Sequence, residues 1–186
     1  MPPVIATNGR RDASIPWVNN PPFYQGANAA RQAFSVYWNN GNHGMTSQSP
    51  QDVRARLTAA YLRRYRLDRS FPAFSNSSDN RNYGNGDPSD GDEVGWINRG
   101  FDWEILADTP DRYAIRLSAA HPEIVYPVTA DVTFRRRQHF KFPAGTRLKA
   151  VVGGVPRSVG IDGNGLLTVE KVVFADARPL EVSITR

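Results

Sequence analysis

Among the proton-moving groups of this chain, one aspartate and one histidine stand where chemistry could be done. Asp12 follows a short apolar run, Pro3-Val4-Ile5-Ala6-Thr7, across the turn-rich stretch Asn8-Gly9-Arg10-Arg11. His43 follows a second run, Phe34-Ser35-Val36-Tyr37-Trp38, across Asn39-Asn40-Gly41-Asn42. They are 31 residues apart, acid first. A carboxylate beside an imidazole holds the ring in one tautomer and stabilises its protonated form, so the ring can take a proton from a nucleophile. Gly41 and Gly44 allow a sharp turn around the histidine, and Ile15, Pro16 and Trp17 could wall the site. The plain alternative is a loop aspartate and an exposed histidine.

Other groups offer less. Asp79, Asp87, Asp90, Asp92 and Glu93 form an acidic, Gly-rich stretch. Calcium favours clustered oxygens, but the EF-hand spacing is missing, and a solvated loop is the simpler reading. Cysteine is absent, which excludes disulfides, thiolate zinc sites and a cysteine nucleophile. No cofactor or metal is expected. Arg135-Arg136-Arg137 with Gln138 and His139 could bind phosphate. Charge at a sheet edge also discourages edge-to-edge pairing, and stacking aromatics at a nucleic-acid spacing are missing. Phe101, Trp103, Trp96 and Tyr113 read as core, with a sugar-stacking platform as the alternative. His121, before Pro122, reads as a loop residue.

The elements that must position Asp12 and His43 are strands and helices in alternation. Both apolar runs read as strands. Between them Phe23, Ala27, Ala30 and Phe34 recur at helical spacing, with Gly26 as a weak point. After His43, Ser49 can cap a helix, Pro50 suits its first position and Asp52 can complete a capping box. Val53, Leu57, Tyr61 and Tyr65 line one face of that helix. Strand, loop, helix repeated twice implies parallel strands, which put both loops on one edge of a sheet. From Phe71 to Gly95 the chain is rich in Ser, Asn, Asp and Gly and reads as a linker or surface loop. Beyond it the period is near two. Candidate strands are Phe101–Leu106, Arg112–Leu117, Pro127–Phe134, Arg147–Val152, Leu166–Phe174 and Leu180–Thr185. Asp162-Gly163-Asn164-Gly165 signals a tight turn.

Two of these stretches carry a family resemblance. "VIATNGRRDASIPW" resembles the acid loop of α/β-hydrolases of the prolyl oligopeptidase and esterase-like branch, and "FSVYWNNGNHGM" resembles their histidine loop. The family order is serine, acid, histidine. The resemblance implies that Asp12 is the triad acid, that His43 is the general base, and that the substrate is an ester or peptide bond. The family's Gly-x-Ser-x-Gly nucleophile motif does not occur here, and Ser158 lies outside any such pattern. The tail stretches "GNGDPSDGDEVGWIN", "YPVTADVTFRRRQHFKFPAGT" and "GNGLLTVEKV" resemble a C-terminal β extension of large secreted bacterial hydrolases, which implies a secreted or periplasmic parent.

The expected class is therefore α+β overall: a partial α/β-hydrolase-like segment (1–70), a polar linker (71–94) and a β-sandwich (95–186). The expected function is that of a fragment or remnant of a serine hydrolase, truncated before its nucleophile and inactive alone. The alternative is a non-catalytic accessory protein whose sandwich contacts carbohydrate or another protein. Expected partners are the missing N-terminal hydrolase portion or a second copy. Strands cut from a larger sheet leave an edge and apolar surface bare, so residues 1–70 should pack on the sandwich, dimerise or be poorly ordered.

Bulk properties narrow the field. At 186 residues, 40% hydrophobic and 11% aromatic, the chain can build a core. No run approaches the roughly 20 apolar residues of a membrane span, so no membrane partner is expected. The opening Met1-Pro2-Pro3-Val4-Ile5 lacks signal-peptide order, because Arg10-Arg11 comes after the apolar run. The net charge of +5 is concentrated in residues 1–78, with nine basic against three acidic side chains. Arg54, Arg56, Arg63, Arg64, Arg66 and Arg69 supply most of it. They read as a solvated helix face rather than a nucleic-acid surface, and no nucleic acid is expected.

Overall fold

The computed structural model describes residues 2–81 and 93–186. Asp87, Asp90 and Asp92 of the acidic stretch lie outside the described residues. The chain is mostly β, with 42% strand and 17% helix in three sheets. That corrects the expected α+β class with its α/β-hydrolase-like segment: the helices are few and short, and sheets dominate.

The first sheet holds the dyad loops. β1 (Val4–Gly9) and β2 (Phe34–Asn39) pair in parallel, from Val4 opposite Phe34 to Gly9 opposite Asn39. Helix α1 (Asn20–Ala29) makes the crossover. Its buried face is Pro21, Tyr24 and Ala27, so of the expected helical stripe Ala27 is buried while Phe23 and Ala30 are exposed. Tyr24 stacks on Trp38, and Trp17 packs against both rings. β4 (Gly95–Ile97) closes the sheet antiparallel to β2. Only glycine fits at 95, because a Cβ there would lie 2.2 Å from the Trp38 ring.

The second helix breaks where a continuous one was expected. α2 (Gln51–Arg56) ends at Leu57, and α3 (Ala59–Leu62) restarts with Thr58 as its cap, accepting from the Tyr61 amide at 3.3 Å. Pro50 precedes α2 without a side-chain cap, and Asp52 in the first turn pairs with Arg99. The basic face is not simply solvated. Arg56 donates to the Phe101 carbonyl, and Arg64 donates to Asp102 and the Trp103 carbonyl. Arg64 also lies over the Trp103 ring at 4.0 Å.

Two antiparallel sheets enclose the main core. β5 (Phe101–Asp108), β6 (Arg112–Ala119), β11 (Leu180–Thr185), β8 (Arg147–Val152) and β9 (Val155–Gly160) form the larger one, in that order. β10 (Leu167–Phe174), β7 (Val128–Arg135) and β3 (Phe71–Ser75) form the smaller. Leu117, Ile115, Ile184, Val182, Leu167 and Phe134 are almost fully buried between them. Each such side chain contributes about 2 kcal/mol. β3 corrects the expected linker at 71–94: Phe71–Ser75 is buried along its whole length and pairs with β7. Pro72 sits on an edge strand, where a missing N–H does little harm. Phe101, Trp103, Trp96 and Tyr113 are all buried, so they make no sugar platform.

The N-terminal segment is joined to these sheets by polar side chains. Asn28 of α1 and Asn76 after β3 exchange hydrogen bonds, and Asn76 also donates to Asp131 of β7 at 2.8 Å. Buried Asn98 donates to the Phe34 carbonyl at 3.1 Å and the Phe74 carbonyl at 2.9 Å, tying β2 to β3. Beside it, Arg99 is 3% exposed. Its fork meets Asp52 of α2 at 2.9 and 3.0 Å, and its other nitrogen meets Glu123 at 2.8 Å. The guanidinium also lies 4.8 Å from the Trp96 ring.

Replacing Arg99 with Met should cost about 3 kcal/mol, because two carboxylates lose their shared cation. Arg99→Lys should recover only part, since an ammonium cannot form the fork. Urea unfolding midpoints measure both. Burial pushes the Asp52 carboxyl up, but the bonds and charge of Arg99 push it further down, and the net shift is downward. The folded state thus binds fewer protons than the unfolded one. This contribution is complete above about pH 4 and is lost as pH falls through the lower folded value. Asp52→Asn should flatten that part of the stability profile.

Candidate functional site

The parallel ladder of β1 and β2 brings Asp12 and His43 together by continuing past its last paired residues. The Arg10 amide donates to the Asn39 carbonyl at 2.8 Å, and the Arg11 amide to the Gly41 carbonyl at 3.0 Å. The Gly41 amide in turn donates to the Asn39 side chain at 2.7 Å. The two loops touch so closely at Gly9 that a Cβ there would lie 2.3 Å from the Gly41 oxygen and 2.5 Å from the Asn42 oxygen. Gly44, with φ of 76°, turns the chain after the histidine. The Thr7 and Thr46 hydroxyls, 2.8 Å apart, hold the following turn against β1.

Within this frame His43 Nδ1 lies 2.8 Å from Asp12 Oδ2. The other carboxylate oxygen accepts from the Ser14 amide at 2.7 Å and the Ile15 amide at 3.0 Å. Asp12 is 11% exposed and His43 65% exposed, so the acid is sheltered and the ring stands open. Burial works to raise the Asp12 carboxyl. The Ile15 amide, the His43 ring and the Ser14 amide outweigh it, and the group is held below its ordinary value. A carboxylate only accepts, so the neutral ring carries its proton on Nδ1 and leaves Nε2 as an acceptor. That is the orientation a general base requires.

The surroundings differ from the expected ones. Trp17 points inward to the aromatic cluster and does not wall the site, while Ile15 is half exposed. Among the described residues no hydroxyl is hydrogen-bonded to His43. Ser158 sits exposed on β9, on a different sheet. Cavities of about 780, 450 and 430 Å³ lie elsewhere, lined by neither Asp12 nor His43. No group of three or more His, Asp or Glu side chains suited to a metal occurs among the described residues. No helix among them is long and apolar enough to cross a membrane.

A second acid–histidine pair escaped the sequence reading. His121 Nε2 lies 2.7 Å from Asp79 Oδ2, and its Nδ1 accepts from the Glu123 amide at 3.3 Å. The ring has no exposed side-chain surface and packs edge-on against Trp96. This pair has the opposite tautomer and is sealed from substrate. Its work is to fix the 121–126 loop beside Arg99. Nothing in the sequence linked Asp79 to His121, since both lie in irregular segments.

Compared with protein-family models, with characterised proteins and with solved structures, the chain matches none. The site therefore rests on its own geometry.

Long-range ¹H–¹⁵N spectra of the neutral rings should show His43 protonated on Nδ1 and His121 on Nε2. Asp12→Asn should remove the Nδ1 preference at His43 and leave His121 unchanged. Gly9→Ala should force the loops apart, cost about 2 kcal/mol and abolish the same His43 signature.

Proposed function

We propose that Asp12 and His43 are the orienting acid and the general base of a serine-type hydrolase acting on ester or peptide bonds, with the nucleophile supplied from outside these 186 residues. The observation that carries this reading is the 2.8 Å contact between His43 Nδ1 and an Asp12 carboxylate whose other oxygen is held by two backbone amides. In acyl transfer His43 Nε2 takes the serine proton as the hydroxyl attacks the carbonyl carbon. It then returns that proton to the leaving group, while Asp12 stabilises the imidazolium. The exposed ring leaves room for a nucleophile carried on another segment. The likeness of both loops to hydrolase acid and histidine loops supports the same assignment. The accessory-protein alternative loses its aromatic platform, because the four rings are buried.

The test is p-nitrophenyl ester hydrolysis by this chain alone and joined to the segment encoded in frame before it. Alone, turnover should be unaffected by His43→Ala. Joined to a segment bearing Gly-x-Ser-x-Gly, turnover should appear and fall by at least about a thousandfold in His43→Ala. Joined activity indifferent to His43, or a preceding segment without any such motif, would count against the proposal.

A further inference from the structure

We propose that Arg135, Arg136, Arg137 and Lys141 form a binding site for a phosphate or sulfate ester group carried on a small molecule. They line a cavity of about 430 Å³ together with Phe71, Phe134, Gly165 and Leu166, within the size range of small-ligand pockets. Among the described residues no acidic side chain lines it.

The arginines do not serve as edge protection. They lie at the end of β7, which is the central strand of its sheet, flanked by β10 and β3. Two of them are held rigidly by carbonyls. Arg137 donates to the Phe140 oxygen at 2.9 Å and the Gly165 oxygen at 3.1 Å. Arg136 donates to the Tyr65 and Arg66 oxygens at 3.2 and 3.3 Å, over the Phe71 ring. A guanidinium has five N–H donors, so each keeps donors for a ligand. The side chains of Arg135 and Lys141 have neither a hydrogen bond nor an ion pair among the described residues. Burial pushes the Arg135 guanidinium down and the neighbouring Arg136 charge adds to the effect, which Asp162 offsets only in part. An anion in the cavity would relieve that crowding and satisfy the free donors with charge-assisted bonds. Phe71 and Phe134 are buried, so no ring is offered for base stacking. This favours a compact ester over a nucleic-acid strand. The inference is independent of the hydrolase reading.

The experiment titrates inorganic phosphate, inorganic sulfate, phenyl phosphate and phenyl sulfate into the whole chain at constant ionic strength, followed by amide and arginine side-chain NMR. The expected result is saturable shifts confined to residues 135–141 and 165–166. Binding should weaken roughly tenfold in Arg135→Gln and in Lys141→Gln, and stay unchanged in Arg178→Gln. Lys141 is exposed, so its variant tests the site without threatening the fold. Tighter binding of phenyl phosphate assigns a phosphate ester, and tighter binding of phenyl sulfate a sulfate ester. Diffuse, unsaturable shifts, an equal response to chloride, or binding indifferent to both variants would overturn the proposal. So would preference for an RNA oligonucleotide that grows with its length.

Discussion

The rest of the molecule depends on a cation buried at a four-way junction. Arg99 sits between β4 and β5, where the chain leaves the small parallel-containing sheet for the large antiparallel one. Its fork holds α2 through Asp52, and its third contact holds the 121–126 loop through Glu123. Arg81 meets the far oxygen of Glu123 at 3.3 Å, and Trp96 lies beneath the guanidinium. Taking such a charge out of water is costly unless every donor is met, so the surrounding groups can satisfy it in few arrangements. The junction specifies the relative placement of its elements more than it adds stability. Helix, loop and sheet meet there in the one geometry that answers the cation.

Adjacent Asn98 works by the same logic with a neutral group. Its amide bridges carbonyls from two different sheets, and its backbone takes a φ of 54°, a conformation asparagine tolerates better than most residues. Gly100 follows with φ of 83°, and a Cβ there would strike the Ala120 oxygen and the His121 ring at 2.8 Å. The chain thus turns through two left-handed residues on either side of Arg99, and at Gly100 there is no room for a side chain. The dyad lies at the opposite concern: its loops are held by a ladder of backbone bonds, and its histidine is left open.

Much of the candidate site was legible because its signals are local. Two apolar runs, each followed by a glycine-rich loop, describe parallel strands with loops on one edge, and backbone pairing does the rest. The strands after residue 100 were legible for the same reason, since alternation and the Asp-Gly-Asn-Gly turn are short-range marks. The elements that went unread depend on distant partners. β3 lies among polar residues and contains Pro72, so only its pairing with β7 makes it a strand. β4 has three residues. β9 is the exception: it pairs with β8 across the short Gly153-Gly154 turn, but Pro156, Arg157 and Ser158 mask its strand pattern. The helix expected through Leu57 and Thr58 breaks because Tyr61, Tyr65 and Arg64 must reach Trp103. His121 is a loop residue as expected, but its pairing went unread because Asp79 and Trp96 come from other segments.

The placement of β3 has a consequence for how this chain can be divided and how it folds. Its hydrogen-bonding partner β7 comes late in the sequence, and β11 at the C-terminus inserts between β6 and β8. Neither antiparallel sheet can be completed from near neighbours alone. Such a chain has high contact order and closes long loops before their contacts repay the entropy, which slows folding. A fragment starting near 95 would also leave Val132 and Phe134 beside a vacant strand position. A fragment starting at β3 would keep that pairing, but it would take Asp52 from Arg99 and β2 from β4.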